Sequence, residues 1–210
     1  MAKKIDANIS VASIAQKYID AIGGKSALEK INTLTTNASA TVQGMALEMQ
    51  IIKGKGGKSV MDMKMMGNSM QKIVFDGKEG YIQAQGQKTP LPAEAVEELA
   101  KKKDIFPELS FATNGAELKG VETINGEDAY VVKLGTSTTY YSVKSGLKVG
   151  ETQVQKMGGQ EMKIPTFYSD YKEVNGVKLP FKISQNMQGM DIDFTVKSYE
   201  INKATDKDFK

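Results

Sequence analysis

The chain has 210 residues, enough to bury a sizeable core, and a formal charge of only +3 spread along its length, so it carries no basic tract suited to nucleic acid. It contains no His, Cys, Trp or Arg, which removes the common zinc ligand sets, cysteine nucleophiles, disulfides and Ser-His-Asp catalysis together. Carboxylate chemistry or a Ser-Lys pair would remain, but the neighbours Lys25-Ser26 and Lys144-Ser145 sit in turn-like contexts. Neither catalysis, cofactor nor metal ion is expected.

Met1-Ala2-Lys3-Lys4 has the look of a basic leader segment, yet Asp6, Asn8, Ser10 and Ser13 interrupt the apolar run that an export signal needs. No transmembrane run occurs elsewhere. The sequence reads as a mature or trimmed form, one domain over 1–210 with an N-terminal tail at 1–8.

The first element is an amphipathic helix from Ile9 to Ile22, with Val11, Ile14, Ala15, Tyr18, Ile19 and Ile22 at helical spacing. Gly23-Gly24 ends it, and a short helix follows over Lys25 to Ile31 with Ser26 as its cap. From Leu34 the period changes to two. Strands are predicted at Leu34 to Gln43, Ala46 to Lys53, Lys58 to Met66, Ser69 to Phe75 and Gly80 to Ala84, joined by glycine-bearing turns too short for parallel crossovers.

Pro90-Leu91-Pro92 breaks this run and starts a helix from Ala93 to Lys103, acidic early and basic late as the helix dipole favours. The segment Asp104 to Leu109 is more apolar than an exposed loop requires, so helix and loop together read as a cover. Seven more strands follow: Ala116 to Ile124, Ala129 to Leu134, Thr138 to Val143, Leu147 to Lys156, Gln160 to Lys172, Val177 to Asn186 and Met190 to Ile201. Asn125-Gly126 and Asn175-Gly176 are strong hairpin signals, with weaker ones at Ser145-Gly146, Gly158-Gly159 and Gln188-Gly189. The predicted class is α+β: one strongly curved antiparallel sheet of about 11–12 strands, a half-open barrel with about three short helices over its concave face.

The stretch from Met45 to Phe75 carries the functional question. In Ser59 to Met65 the odd positions are apolar, with Asp62 and Lys64 between them, the alternation of a strand with one wet face. Met45, Leu47, Met49 and Ile51 repeat the pattern, and Ile73 and Phe75 extend it. A row of methionines is either adaptable core or the lining of an apolar site. By the same parity Val177, Leu179, Phe181, Ile183 and Met187 share a face, as do Tyr130, Val132 and Leu134, and likewise Ile192, Phe194 and Val196. Lys178, Lys182, Asp191, Asp193 and Lys197 fall on wet sides.

Several segments together carry a resemblance spanning nearly the whole chain: Tyr18 to Lys25 with Ala27 to Ile31, Phe75 to Tyr81, Phe106 to Leu109, Tyr168 to Pro180, and Asp206 to Phe209. On these the chain resembles the LolA/LolB-like group of bacterial envelope proteins. It is most similar to the outer-membrane lipoprotein-sorting-type domains of Bacteroidetes, found alone or at the tail of insulinase-like zinc proteases. That resemblance implies a curved antiparallel sheet whose concave side is filled by helices around a cavity for acyl chains. Carriers of the group hold their helical lid with an arginine in an early strand, a residue type this chain lacks. The zinc-protease motif is absent too.

Three readings follow. In the first the chain is a periplasmic or envelope binding domain for a lipid, an acylated lipoprotein or another apolar ligand. Its cavity is lined by Met45, Leu47, Met49, Ile51, Met61, Met63, Met65, Ile73, Phe75, Phe181, Ile183 and Phe194, and its lid is formed by Val96, Leu99, Ile105 and Phe106. In the second it is a non-catalytic accessory domain with a filled core, partnered with an envelope protease. The third, an enzyme working through Asp170 or Asp191, is disfavoured because Asp191 and Asp193 fall on a wet face.

Overall fold

The computed structural model describes residues 8–157, 160–187 and 189–210. The Met1–Lys4 segment, the Gly158-Gly159 turn, Gln188 and the side chain of Met187 lie outside the described residues.

The helices are α1 (Val11–Ile22), α2 (Lys25–Glu29) and α3 (Ala93–Lys101). The strands are β1 (Thr33–Val42), β2 (Met45–Gly54), β3 (Ser59–Met65), β4 (Asn68–Phe75), β5 (Gly80–Ala84), β6 (Gln87–Pro90), β7 (Glu117–Ile124), β8 (Glu127–Leu134), β9 (Ser137–Ser142), β10 (Lys148–Met157), β11 (Gln160–Val174), β12 (Val177–Met187) and β13 (Met190–Ile201). They form one antiparallel sheet of 13 strands in the order β6-β5-β4-β3-β2-β1-β13-β12-β11-β10-β9-β8-β7, which does not close on itself.

Hairpin chemistry explains the meander. At Gln43-Gly44, Met66-Gly67, Gln85-Gly86, Asn125-Gly126 and Asn175-Gly176 both residues have positive φ, the conformation that matches a two-residue turn to the twist of its strands. The turn at Gln85-Gly86 creates β6, a strand beyond the expected count. Its residues are polar and exposed, so no alternation betrays them, and Pro90 pairs with Tyr81 where a break of the sheet was expected.

The chain divides into two compact units. One comprises Glu29–Pro107 and Phe194–Lys210. Here Ile52, Val60 and Val74 pack with Phe209, which is carried by the 3-10 turn Asp206–Phe209 and its Thr205–Asp208 capping box. That patch lies on the face opposite the methionines, so the second face of these strands is partly dry. Asp62 also departs from the wet position expected of it. It is only 8% exposed, because it lies among the polar side chains of the same face and accepts a hydrogen bond from Ser69 Oγ at 2.7 Å.

The other unit comprises the chain up to Leu28 and Glu108–Asp193. Ser10 caps α1 in a reciprocal box with Ser13, and Ile14, Ala15, Tyr18, Ile19 and Ile22 are buried. Gly23 ends the helix at φ 133°, where an added Cβ would lie 2.4 Å from the Gly176 carbonyl oxygen. Only glycine fits this approach to the β11–β12 turn. In α2 Ser26 lies inside the helix rather than capping it, since the helix begins at Lys25 after Gly24.

Candidate functional site

In the first unit, strand register brings the expected lining together. Leu47 lies opposite Met65, Met49 opposite Met63, and Ile51 opposite Met61, which in turn faces Ile73; Phe75 lies opposite Ser59. With Met45 opposite Val42, these nine residues share one face of β2–β4. Across β1, Ala38 and Ala40 sit opposite Met49 and Leu47, and Ala38 also faces Val196, which places Phe194 on the same face by alternation. Leu47, Met49, Phe75 and Phe194 are at most 5% exposed. Met45, Ile51, Met61, Met63, Met65 and Ile73 are only half-buried. The row is therefore deep at one set of positions and partly open at another.

Of the four residues expected to form a cover, Ile105 and Phe106 are buried, while Val96 and Leu99 are half-buried and α3 buries no side chain fully. The C-terminal end of α3 rests on the 3-10 turn Lys55–Gly57. An added Cβ at Gly57 would meet the Leu99 carbonyl oxygen at 3.3 Å and the Phe75 ring at 3.8 Å, and Gly56 N–H donates to Lys103 O at 3.0 Å. Phe181 and Ile183 belong to the other unit, where Ile183 is buried opposite Tyr168 and Lys172 Nζ lies 5.0 Å from the Phe181 ring centre.

The opposite face of β1–β3 carries a polar ladder. Gln50 Nε2 donates to Asn37 Oδ1 at 2.9 Å, and Asn37 Nδ2 donates to Ser198 Oγ at 3.1 Å and Glu200 Oε1 at 3.3 Å. Asn37, Gln50, Asp62, Lys64 and Lys197 line an open depression of about 250 Å3 there.

In the other unit the structure assembles a cluster that the sequence reading missed. Glu108, 2% exposed on the 3-10 turn Pro107–Ser110, accepts hydrogen bonds at Oε1 from Tyr141 Oη at 2.6 Å and Lys148 Nζ at 2.8 Å. Its second oxygen, Oε2, is buried without a hydrogen-bond partner. The Tyr141 ring is edge-on to Tyr18 at 5.4 Å and to Phe111 at 6.2 Å. On β11, Tyr168 Oη donates to Glu151 at 2.9 Å and Tyr171 Oη donates to the Lys148 carbonyl at 2.7 Å.

Burial and the Glu108 carboxylate push the Tyr141 phenol well above its ordinary value, and burial and Glu151 do the same to Tyr168. Burial alone would lower the Lys148 ammonium, but the carboxylates of Glu108 and Glu151 outweigh it and hold the group above the usual lysine range. The cluster is thus a charged lysine between two carboxylates, roofed by tyrosines. The clue in the sequence is Glu108 itself, an acid inside the apolar run Ile105 to Phe111.

The carboxylates considered for catalysis are otherwise engaged. Asp170 is exposed and ion-paired with Lys172 at 2.9 Å, Asp191 accepts from Asn186 and Asp193 from Ser184. Ser145 braces its own turn, and Lys25-Ser26 opens α2. Among the described residues, no group of three or more acidic side chains could hold a metal ion, and no helix is long and apolar enough to cross a membrane.

No protein-family model matches the sequence, and no curated protein matches it. Solved structures do. A LolA superfamily protein of Nitrosomonas europaea is similar with a TM-score of 0.60 at 14% identity, covering 96% of this chain and 98% of that one. A DUF1329 family protein of Desulfovibrio piger is similar with a TM-score of 0.57 at 10% identity, covering 95% of each. At such identities the likeness establishes the fold: this is a LolA-like domain architecture.

Proposed function

We propose that this LolA-like chain is a non-catalytic binding domain of the bacterial periplasm or envelope, holding a lipid, an acylated lipoprotein or a comparable apolar ligand on its methionine face. The observation that carries the reading is the face itself, apolar residues in register across three strands with Met61, Met63 and Met65 only half-buried. Flexible thioethers adapt to an irregular apolar guest, and burying such surface is worth roughly 25 cal/mol per Å2. The fold supports the reading, and the composition removes the commonest catalytic alternatives. The chain acts in this view as one domain, with Val96, Leu99, Ile105 and Phe106 as its cover.

The full burial of Leu47, Met49 and Phe75 favours a second reading, a filled core serving an accessory role beside an envelope protease. Native mass spectrometry of protein purified without detergent, followed by lipid extraction, separates the two. A stoichiometric acyl lipid released on denaturation is the expected result. A clean apo mass that also ignores added fatty acids would leave the accessory reading.

A further inference from the structure

We propose that the methionine face also carries a site for a soft monovalent cation, Cu(I) or its redox-inert analogue Ag(I), held by the thioether sulfurs of Met49, Met61 and Met63. The proposal stands apart from lipid binding, since it concerns donor atoms rather than apolar area. More than half of the chain's 12 methionines fall between Met45 and Met70. Met49 and Met63 are direct cross-strand partners, and Met61 lies two residues along β3 on the same face.

Geometry allows three sulfurs to converge. Directly opposed residues of an antiparallel pair have Cβ atoms about 4.5–5.5 Å apart, and diagonal neighbours about 7–8 Å, within reach of long side chains. Methionine adds three rotatable bonds to that reach. Ala38, the other cross-strand partner of Met49, has a small side chain, and Met49 is 3% exposed, so its sulfur would form the buried end of the site. Met61 is preferred to Met65 as third ligand because it is flanked by Ile51 and Ile73, whereas Met65 sits at the hairpin end beside Asn68.

Chemistry decides the ion. A thioether is neutral and polarisable, so it holds soft Cu(I) or Ag(I) and discriminates against hard calcium or magnesium. With three neutral donors the complex keeps a single positive charge, and the half-buried Met61 and Met63 leave that charge in partial contact with water. The chain has no Cys or His to compete, so its soft-ion affinity is referred to methionine sulfurs, and the methyl signals tell which.

The test is Ag(I) titration of the whole chain labelled with 13C at the methionine methyls, in chloride-free buffer, with native mass spectrometry for stoichiometry. One Ag(I) per chain is expected, with the methyl signals of Met49, Met61 and Met63 moving together. Met63→Leu should weaken binding at least tenfold with an unchanged circular dichroism spectrum, and Met65→Leu should change it less than twofold. Absence of a 1:1 adduct overturns the proposal. So do shifts confined to the exposed Met66, Met70 and Met190, or equal losses in the Met63 and Met65 variants. Binding of a fluorescent fatty acid is measured on the unmodified chain with and without Ag(I). Failure of the ion site and failure of the lipid reading therefore register in separate measurements.

Discussion

The methionine face of β2–β4 and the tyrosine, glutamate and lysine cluster around Glu108 bury their side chains by opposite means. On the face, unbranched apolar chains meet in register and few specific angles matter, so one side chain can stand in for another of similar volume. In the cluster two carboxylates, an ammonium and two phenols are held by bonds of 2.6–2.9 Å, and loss of any partner strands a charge or a donor. The first arrangement suits a surface that must adapt to a guest. The second suits a joint that must not move.

Glu108→Ala should break the comparison most sharply. Removing Glu108 takes the direct ion-pair partner from Lys148, whose side chain is 16% exposed and keeps Glu151 nearby, and strands the Tyr141 hydroxyl, so a cost of about 1.5–3 kcal/mol is expected. Glu108→Leu combined with Lys148→Met and Tyr141→Phe should recover most of it, because well-packed apolar side chains remove the desolvation penalties and leave no stranded donor. Urea unfolding reads both, and a loss below about 0.5 kcal/mol for the single variant would mean that the Glu108 contacts contribute no net stability.

The response to alkali should separate the regions next. The Tyr141 and Tyr168 phenols are raised above the value of about 10 they have when unfolded. Their contribution to stability is therefore complete below pH 10 and is lost as pH rises toward the folded values, where the unfolded chain binds fewer protons. Lys148, raised from 10.5, adds to the same slope. Tyr168→Phe should flatten the decline in melting temperature above pH 10, and a slope identical to that of the parent would place Tyr168 in solvent. Variants of the methionine face should leave the slope untouched.

The smallest effect is expected at Met63→Leu. A swap that conserves volume on a half-buried face should cost less than about 1.5 kcal/mol. A larger destabilisation would make the face a specifically packed core and weaken its reading as an adaptable surface.

The two regions were also unequally legible in the sequence. The face could be read because strand alternation is local: once Met61, Met63 and Met65 alternate with Asp62 and Lys64, the side they share follows, and short turns fix the partner strands. The cluster could not be read, because its members come from α1, the turn at Pro107–Ser110, β9, β10 and β11, and no spacing links them. A register shift between Lys148 and Gly150 also breaks the parity that would have placed Lys148. Asp62 shows the limit of alternation. Period two assigns a residue to a face but does not say whether that face is wet, and here Ser69, with the polar ladder beside it, shields the carboxylate.

An open sheet leaves two strands with unpaired backbone groups, and how β6 and β7 are built bears on whether molecules of this protein join edge to edge. The β6 edge offers Gln87, Lys88 and Thr89 and ends on Pro90, which has no N–H to donate. The β7 edge is studded with Glu117, Lys119 and Glu122, and its ladder shifts register between Leu118 and Gly120. Charges, a proline and an irregular ladder are what keep a strand from templating another. At high concentration the chain should therefore resist growth into fibres, even though its sheet never closes.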